Sequence, residues 1–236
     1  MLEELNVRVF ADGASLDGIR QLNANPLIAG FTTNPTLMRQ AGVQEYEWFA
    51  REMLELVPDR PVSFEVTADE ADEIERQALK LHSWGDNVFV KIPVTNTRRE
   101  RHTELVRCLA DAGVQVNVTA VMTREQVEVV AASLNDDVAS FVSVFAGRIA
   151  DTGRDPVPIM TDCLRVLESR ARCQLIWASP REVLNIFQAD AIGCHVITVT
   201  HDLLAKLSSV GKDLDEFSLE TVQMFERDAV AAGYVL

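Results

Sequence analysis

Lys91 stands inside the run Asn87-Val88-Phe89-Val90-Lys91-Ile92-Pro93, whose apolar neighbours read as a buried strand. A lysine there either ends an edge strand and carries its ammonium out to water, or it is kept from water and used. Desolvation disfavours the ammonium. The neutral amine is the form that attacks a carbonyl to make a Schiff base. Asp12 and Glu65 end two other strand-like runs and have the type needed to divide proton transfers, Glu65 by way of a water. Thr33, Asn34, Asn117, Thr119 and Ser143 offer amides and hydroxyls suited to sugar hydroxyls. Arg148, Ser179 and Arg181 compose an anion site. Ser179-Pro180-Arg181 also reads as a helix opening, and free N–H groups at a helix start favour phosphate. Two arginines near one helix start suit a terminal phosphate better than a diffuse polyanion. Arg98, Arg99 and Arg101 form a second basic cluster, which reads as a solvated helix start.

Each of these residues has a plainer explanation when taken alone. Asp12 and Asn34 suit turns or caps, and Glu65 can end a strand in solvent. Their shared position is what gives them weight. Eight β-rich runs, at 7–12, 27–33, 61–66, 87–93, 114–120, 141–146, 173–179 and 195–199, alternate with helical patterns. Their apolar content is nearly continuous, as in parallel strands covered on both faces. The spacing predicts helices over 70–84, 99–112, 124–134 and 158–172. Thr123 with Gln126 forms a capping box, and Gly113 stops a helix. Eight such units predict an α/β chain, a single-domain (β/α)8 TIM barrel over 1–236, with an extra C-terminal helix at about 216–232. An open doubly wound sheet is the alternative, weakened because no glycine-rich dinucleotide loop follows the first strand. In a barrel, the C-terminal strand ends converge on one mouth. Asn117, Thr119 and Ser143 interrupt otherwise apolar strands, and buried polar groups are costly unless used or paired.

The 236 residues are 47% hydrophobic and 25% charged, ordinary for a globular protein. A net charge of -14 argues against nucleic acid as a partner but permits a small phosphorylated ligand held by local cations. Cys108, Cys163, Cys173 and Cys194 show no CxxC spacing, so a reducing, cytoplasmic compartment is expected. No signal peptide and no membrane-spanning run is expected either.

Gly30-Phe31-Thr32-Thr33-Asn34-Pro35-Thr36-Leu37 resembles the GxTTNPSL motif of transaldolases. Val90-Lys91-Ile92-Pro93 resembles their lysine motif, and Asn117-Val118-Thr119 their N-x-T. Ser143-Val144-Phe145-Ala146-Gly147-Arg148-Ile149 resembles SPFVGRI, and Ala178-Ser179-Pro180-Arg181 resembles AS-x-R. Order and spacing agree over essentially the whole chain. The resemblance implies a class I aldolase barrel that uses neither metal nor other cofactor. It implies a Schiff base between Lys91 and a ketose phosphate, carbon–carbon cleavage, and transfer of a dihydroxyacetone unit to an aldose phosphate, as in the pentose phosphate pathway. Asp12 would move the sugar hydroxyl proton, Glu65 would hold the water of imine formation, and Arg148, Ser179 and Arg181 would bind phosphate. Short transaldolases are grouped with fructose-6-phosphate aldolases, which carry glutamine in place of Glu65 and tyrosine in place of Phe145. Both residues here are of the transaldolase kind. Short members tend to be homo-pentamers or decamers with the terminal helix packed on a neighbour. The chain departs from the pattern at Phe10-Ala11-Asp12-Gly13, at Val144 and at Ile149-Ala150-Asp151. Those departures bear on substrate preference, and a specialised sugar pathway is one alternative. A barrel that binds sugar phosphate without turnover is another.

Overall fold

The computed structural model describes residues 2–234. Eight strands, β1 (Arg8–Asp12), β2 (Ile28–Thr32), β3 (Val62–Glu65), β4 (Val88–Pro93), β5 (Val116–Val121), β6 (Ser140–Val144), β7 (Cys173–Trp177) and β8 (Val196–Thr200), each pair in parallel with the next, and β8 pairs with β1. The sheet is a closed barrel, as expected, and not the open sheet. The helices are α1 (Leu16–Asn23), α2 (Pro35–Gln40), α3 (Tyr46–Leu56), α4 (Ala71–His82), α5 (Thr103–Asp111), α6 (Arg124–Ala131), α7 (Ala146–Ala150), α8 (Pro156–Leu167), α9 (Leu184–Ala191), α10 (His201–Ala205) and α11 (Leu214–Ala232). Thr123 and Gln126 close the expected capping box at the start of α6. Gly113 ends the α5 segment with φ 86°, a conformation that suits glycine.

Parallel strands point successive side chains to opposite faces. The outward residues pack beneath the helices in a continuous core that includes Val9, Phe64, Val90 and Trp177. The inward residues divide by height. Phe10, Phe89, Phe141, Ile176 and Val196 fill the barrel. The Phe10 and Phe141 rings meet edge to face at 5.6 Å, and the Phe89 and Phe141 rings lie 4.3 Å apart. Two residues further along their strands, Asp12, Lys91, Ser143 and Thr198 take the same inward direction. The aromatic layer is therefore a floor, and the polar residues stand on it.

Two helix starts differ from expectation, and both concern basic residues. The pattern after β4 predicts a helix from 99, yet α5 begins at Thr103. Arg98 is pulled out of helical geometry by a forked pair to Glu70, with contacts of 2.7 and 2.8 Å. Thr97 bonds Asp69 beside it at 2.6 Å, and Arg99 adopts φ 68°. Arg98, Arg99 and Arg101 thus belong to a loop docked on the β3–α4 connection. After β7, Pro180 is not a first helical residue, since α9 begins at Leu184. Ser179 turns the chain with φ 60°. The Asn185 side-chain oxygen then accepts the amides of Arg181 (2.7 Å) and Glu182 (3.2 Å). The Arg181 and Glu182 amides, next to the expected phosphate residues, are therefore already taken by Asn185 and do not open a helix.

No helix among the described residues is long and apolar enough to cross a membrane. The terminal helix α11 has no buried residue and presents Phe217, Val222, Phe225 and Val230 to the exterior.

Candidate active site

Lys91 is 6% exposed and lies inside the barrel, not at a sheet edge. Its Nζ donates to the Thr33 carbonyl at 2.9 Å and stands 3.2 Å from Glu65 Oε2. Glu65 is the neighbour of Lys91 across the β3–β4 pair, so sheet register alone sets this contact. Behind Glu65, the Tyr46 hydroxyl from α3 donates to its carbonyl at 2.7 Å and fixes the end of β3.

Asp12 occupies the end of β1. Thr32 Oγ1 donates to its Oδ1 at 2.7 Å and also contacts the Thr198 hydroxyl. Burial pushes the Asp12 carboxyl above the usual carboxylate range, while Lys91 and the Thr32 hydroxyl pull it back. Behind this strand end, the His201 ring fills space left open by two glycines. A Cβ at Gly13 would stand 2.8 Å from His201 Nε2, and one at Gly18 would stand 2.3 Å from its Cε1. Burial lowers the His201 imidazole pKa, and the Asp12 charge opposes that shift.

Asn117 and Ser143 come together in a buried chain. Ser143 Oγ donates to Asn117 Oδ1 at 2.7 Å, and Asn117 Nδ2 donates to Ser63 Oγ at 3.0 Å. Asn117 is paired across the sheet with Lys91. The chain therefore braces the strand beside the lysine. Asn34 caps α2 by accepting the Leu37 amide at 3.0 Å, which occupies one of its oxygen's acceptor positions. The hydroxyls of Thr33 and Thr119 are buried and have no hydrogen-bond partner among the described residues. Buried hydroxyls left this way are rare, and both suit a ligand that brings its own hydroxyls.

The expected anion residues gather at the ends of β6 and β7. Arg148 on α7 lies over the Phe145 ring, 5.6 Å from its centroid. Phe145 packs against the aromatic floor. Arg181 grips Asp151 through its Nε at 2.9 Å and through Nη2, and its Nη1 donates to Ser179 Oγ at 3.1 Å. Arg181 holds the Asp151 carboxyl below its usual range. An arriving anion therefore meets Arg181 already paired and has to share or displace Asp151. Gly147 makes this corner possible, because a Cβ there would lie 1.5 Å from the Ser179 carbonyl oxygen.

Nothing in the sequence marks Tyr46, Ser63, Asn185, Thr198 or His201 as site residues. The only hint at Ser63, Thr32 and Thr198 is their polar type at inward strand positions. The others act from loops and helix starts, where periodicity is silent.

What the assembled groups can do follows from their types. A buried amine beside a carboxylate can exchange a proton with it and attack a carbonyl. A second carboxyl, raised by burial, can take and return a proton. The family model described as Transaldolase/Fructose-6-phosphate aldolase matches residues 9–234. A probable transaldolase of Dehalococcoides mccartyi is 31% identical over 202 residues, 85% of this chain and 90% of that protein. Probable transaldolase 2 of Listeria monocytogenes is 33% identical over 204 residues, 86% of this chain and 89% of that protein. Among solved structures, 2,3-dimethylmalate lyase shares the fold with a TM-score of 0.57 at 13% identity, covering 97% of this chain and 85% of that one. The ordered strand-end residues and the match along nearly the whole chain place it in the transaldolase/fructose-6-phosphate aldolase family.

Proposed function

We propose that this protein is a transaldolase that moves a dihydroxyacetone unit between sugar phosphates through a Schiff base on Lys91. The observation that carries the reading is the Lys91 amine, buried and 3.2 Å from Glu65. The amine loses a proton to Glu65, directly or through a water, and attacks the ketose carbonyl. Loss of that oxygen as water gives the imine. Asp12 takes the proton from the adjacent sugar hydroxyl as the carbon–carbon bond breaks, and the aldose phosphate leaves. The three-carbon unit stays on Lys91 until an acceptor aldehyde arrives and the steps reverse. Thr33, Asn34, Thr119 and the Asn117–Ser143 pair face the sugar hydroxyls, and Arg148, Ser179 and Arg181 meet the terminal phosphate. Sedoheptulose 7-phosphate and fructose 6-phosphate are the proposed donors. We place the reaction in the cytoplasm, where the free thiols of Cys163, Cys173 and Cys194 stay reduced.

Aldol cleavage with release of free dihydroxyacetone is the second reading, since the family model spans both activities. Phe145 favours transfer: its side chain packs on the aromatic floor and has no hydroxyl to protonate the bound three-carbon unit. A coupled assay with fructose 6-phosphate, run with and without erythrose 4-phosphate, separates the two. Turnover that requires the acceptor supports transfer, and equal dihydroxyacetone release without it contradicts transfer. Phe145→Tyr is expected to raise acceptor-independent release, and an unchanged ratio removes Phe145 from this role.

We also propose a homo-oligomer. A groove of about 920 Å3, lined by Leu5, Val7, Leu22, Leu27, Leu204 and Leu207, lies between α1 and α10. The unburied apolar residues of α11 have the chemistry to cover this groove on a second copy of the chain.

A further inference from the structure

The basic cluster after β4 has no part in the reaction proposed above, and its loop conformation gives it a different setting. Arg98 is tied to Glu70 and Glu100. Arg99 turns away in the left-handed conformation at φ 68°, and Arg101 pairs its backbone with Thr95. Among the described residues, neither the Arg99 nor the Arg101 guanidinium has an ion pair or a side-chain hydrogen bond. Both are exposed, and both line the rim of a cavity of about 350 Å3 that lies between α5 and α6, on the outer face of β5 and the segment after β4. His102 lines the same cavity and is only 6% exposed. Its Nδ1 lies 2.8 Å from the Pro93 carbonyl oxygen, so Nδ1 carries a proton. Its Nε2 is buried with no partner among the described residues. Val118 and Val130 give the cavity an apolar floor.

We propose that this cavity is a second anion site, separate from the barrel mouth, that binds the phosphate of a small organic phosphate monoester. Two unpaired guanidinium forks match phosphate oxygens in shape and charge. The chain's net charge of -14 gives anions no general attraction, so recognition rests on these local cations. His102 Nε2 is a buried ring nitrogen without a partner, and a phosphate O–H can donate to it. The volume is within the range of small-molecule sites, and the valine floor suits a short carbon chain. Val118 lies between Asn117 and Thr119 on β5, so an occupant touches the reverse face of a strand that lines the active site.

Calorimetry with glycerol 3-phosphate tests this, because the probe has a phosphate and three carbons but no carbonyl to react with Lys91. The full-length protein should bind two equivalents per chain, one at the barrel mouth and one in this cavity. Arg181→Ala should remove only the first. The double variant Arg99→Gly with Arg101→Gln should weaken only the second, by about tenfold or more. Glycine keeps the left-handed backbone at position 99. The kinetic constants for fructose 6-phosphate, measured without added phosphate, should be unchanged in the double variant. Undiminished second-site binding in the double variant, or loss of all binding in Arg181→Ala, overturns the proposal. Equal affinity for glycolate overturns the phosphate assignment. Should the double variant melt early, crystals of the unaltered protein soaked in the probe decide the matter: phosphate density between Arg99 and Arg101 supports the site, and an empty cavity at saturation refutes it.

Discussion

At the scale of single residues, the arrangement separates two carboxyls by environment. Glu65 has the Lys91 amine as its direct partner at 3.2 Å, whereas Asp12 is governed first by burial. That difference has a measurable sign. The Asp12 carboxyl holds its proton more tightly in the folded chain than in the unfolded one, because its folded value is raised. Folding therefore takes up a proton in the window between the two values, and stability falls as pH rises through it. Asn does not titrate. Asp12→Asn should gain stability relative to the unaltered protein as pH rises from the ordinary carboxylate range, and the gain should level off above the folded value. Denaturant melts at several pH values check this, and a difference that stays flat with pH contradicts the burial argument. The same variant should lose the acid limb of the kcat/KM profile along with most activity.

At the scale of elements, the barrel places the site by register. Lys91 meets Glu65 and Asn117 because β3, β4 and β5 pair in parallel with those residues as neighbours. The proposed phosphate corner depends instead on a loop against a helix start. Gly147 on α7 lies so close to the Ser179 carbonyl that Gly147→Ala has to push the two apart. That overpacking should cost about 1–3 kcal/mol. It should also raise KM for phosphorylated donors more than it lowers kcat, because Ser179 and Arg181 move while Lys91 does not. Thermal melts and steady-state kinetics check this, and an unchanged KM contradicts the corner's role. This contrast also explains what was legible in the sequence. The eight strands, the polar residues Asp12, Glu65, Lys91, Asn117, Thr119 and Ser143 toward their ends, and the capping box at Thr123 follow from near-continuous apolar runs and local chemistry. The loop holding Arg98, Arg99 and Arg101 does not, because its shape is set by Asp69 and Glu70 some thirty residues earlier. The delayed start of α9 is likewise set by the left-handed Ser179 and by the reach of Asn185, neither of which periodicity records.

At the scale of the whole molecule, α11 leaves an apolar face uncovered while a groove stands open beside α1. Deleting residues 213–236 should convert the proposed oligomer to smaller species in light scattering after gel filtration. An unchanged mass would place the contact elsewhere. The barrel itself, with its aromatic floor, keeps Lys91 buried and its amine directed to the polar layer above. Under the proposed mechanism this amine becomes covalently bound to a three-carbon unit during turnover. Lys91→Ala should lower transfer by about 10³-fold or more, of order 4 kcal/mol in barrier. The most direct measurement is borohydride reduction in the presence of fructose 6-phosphate, followed by peptide mass analysis. A single reduced dihydroxyacetone unit on Lys91, absent from Lys91→Ala, is the predicted result. An unmodified Lys91 in an enzyme that still transfers the unit would rule out a Schiff base on this residue.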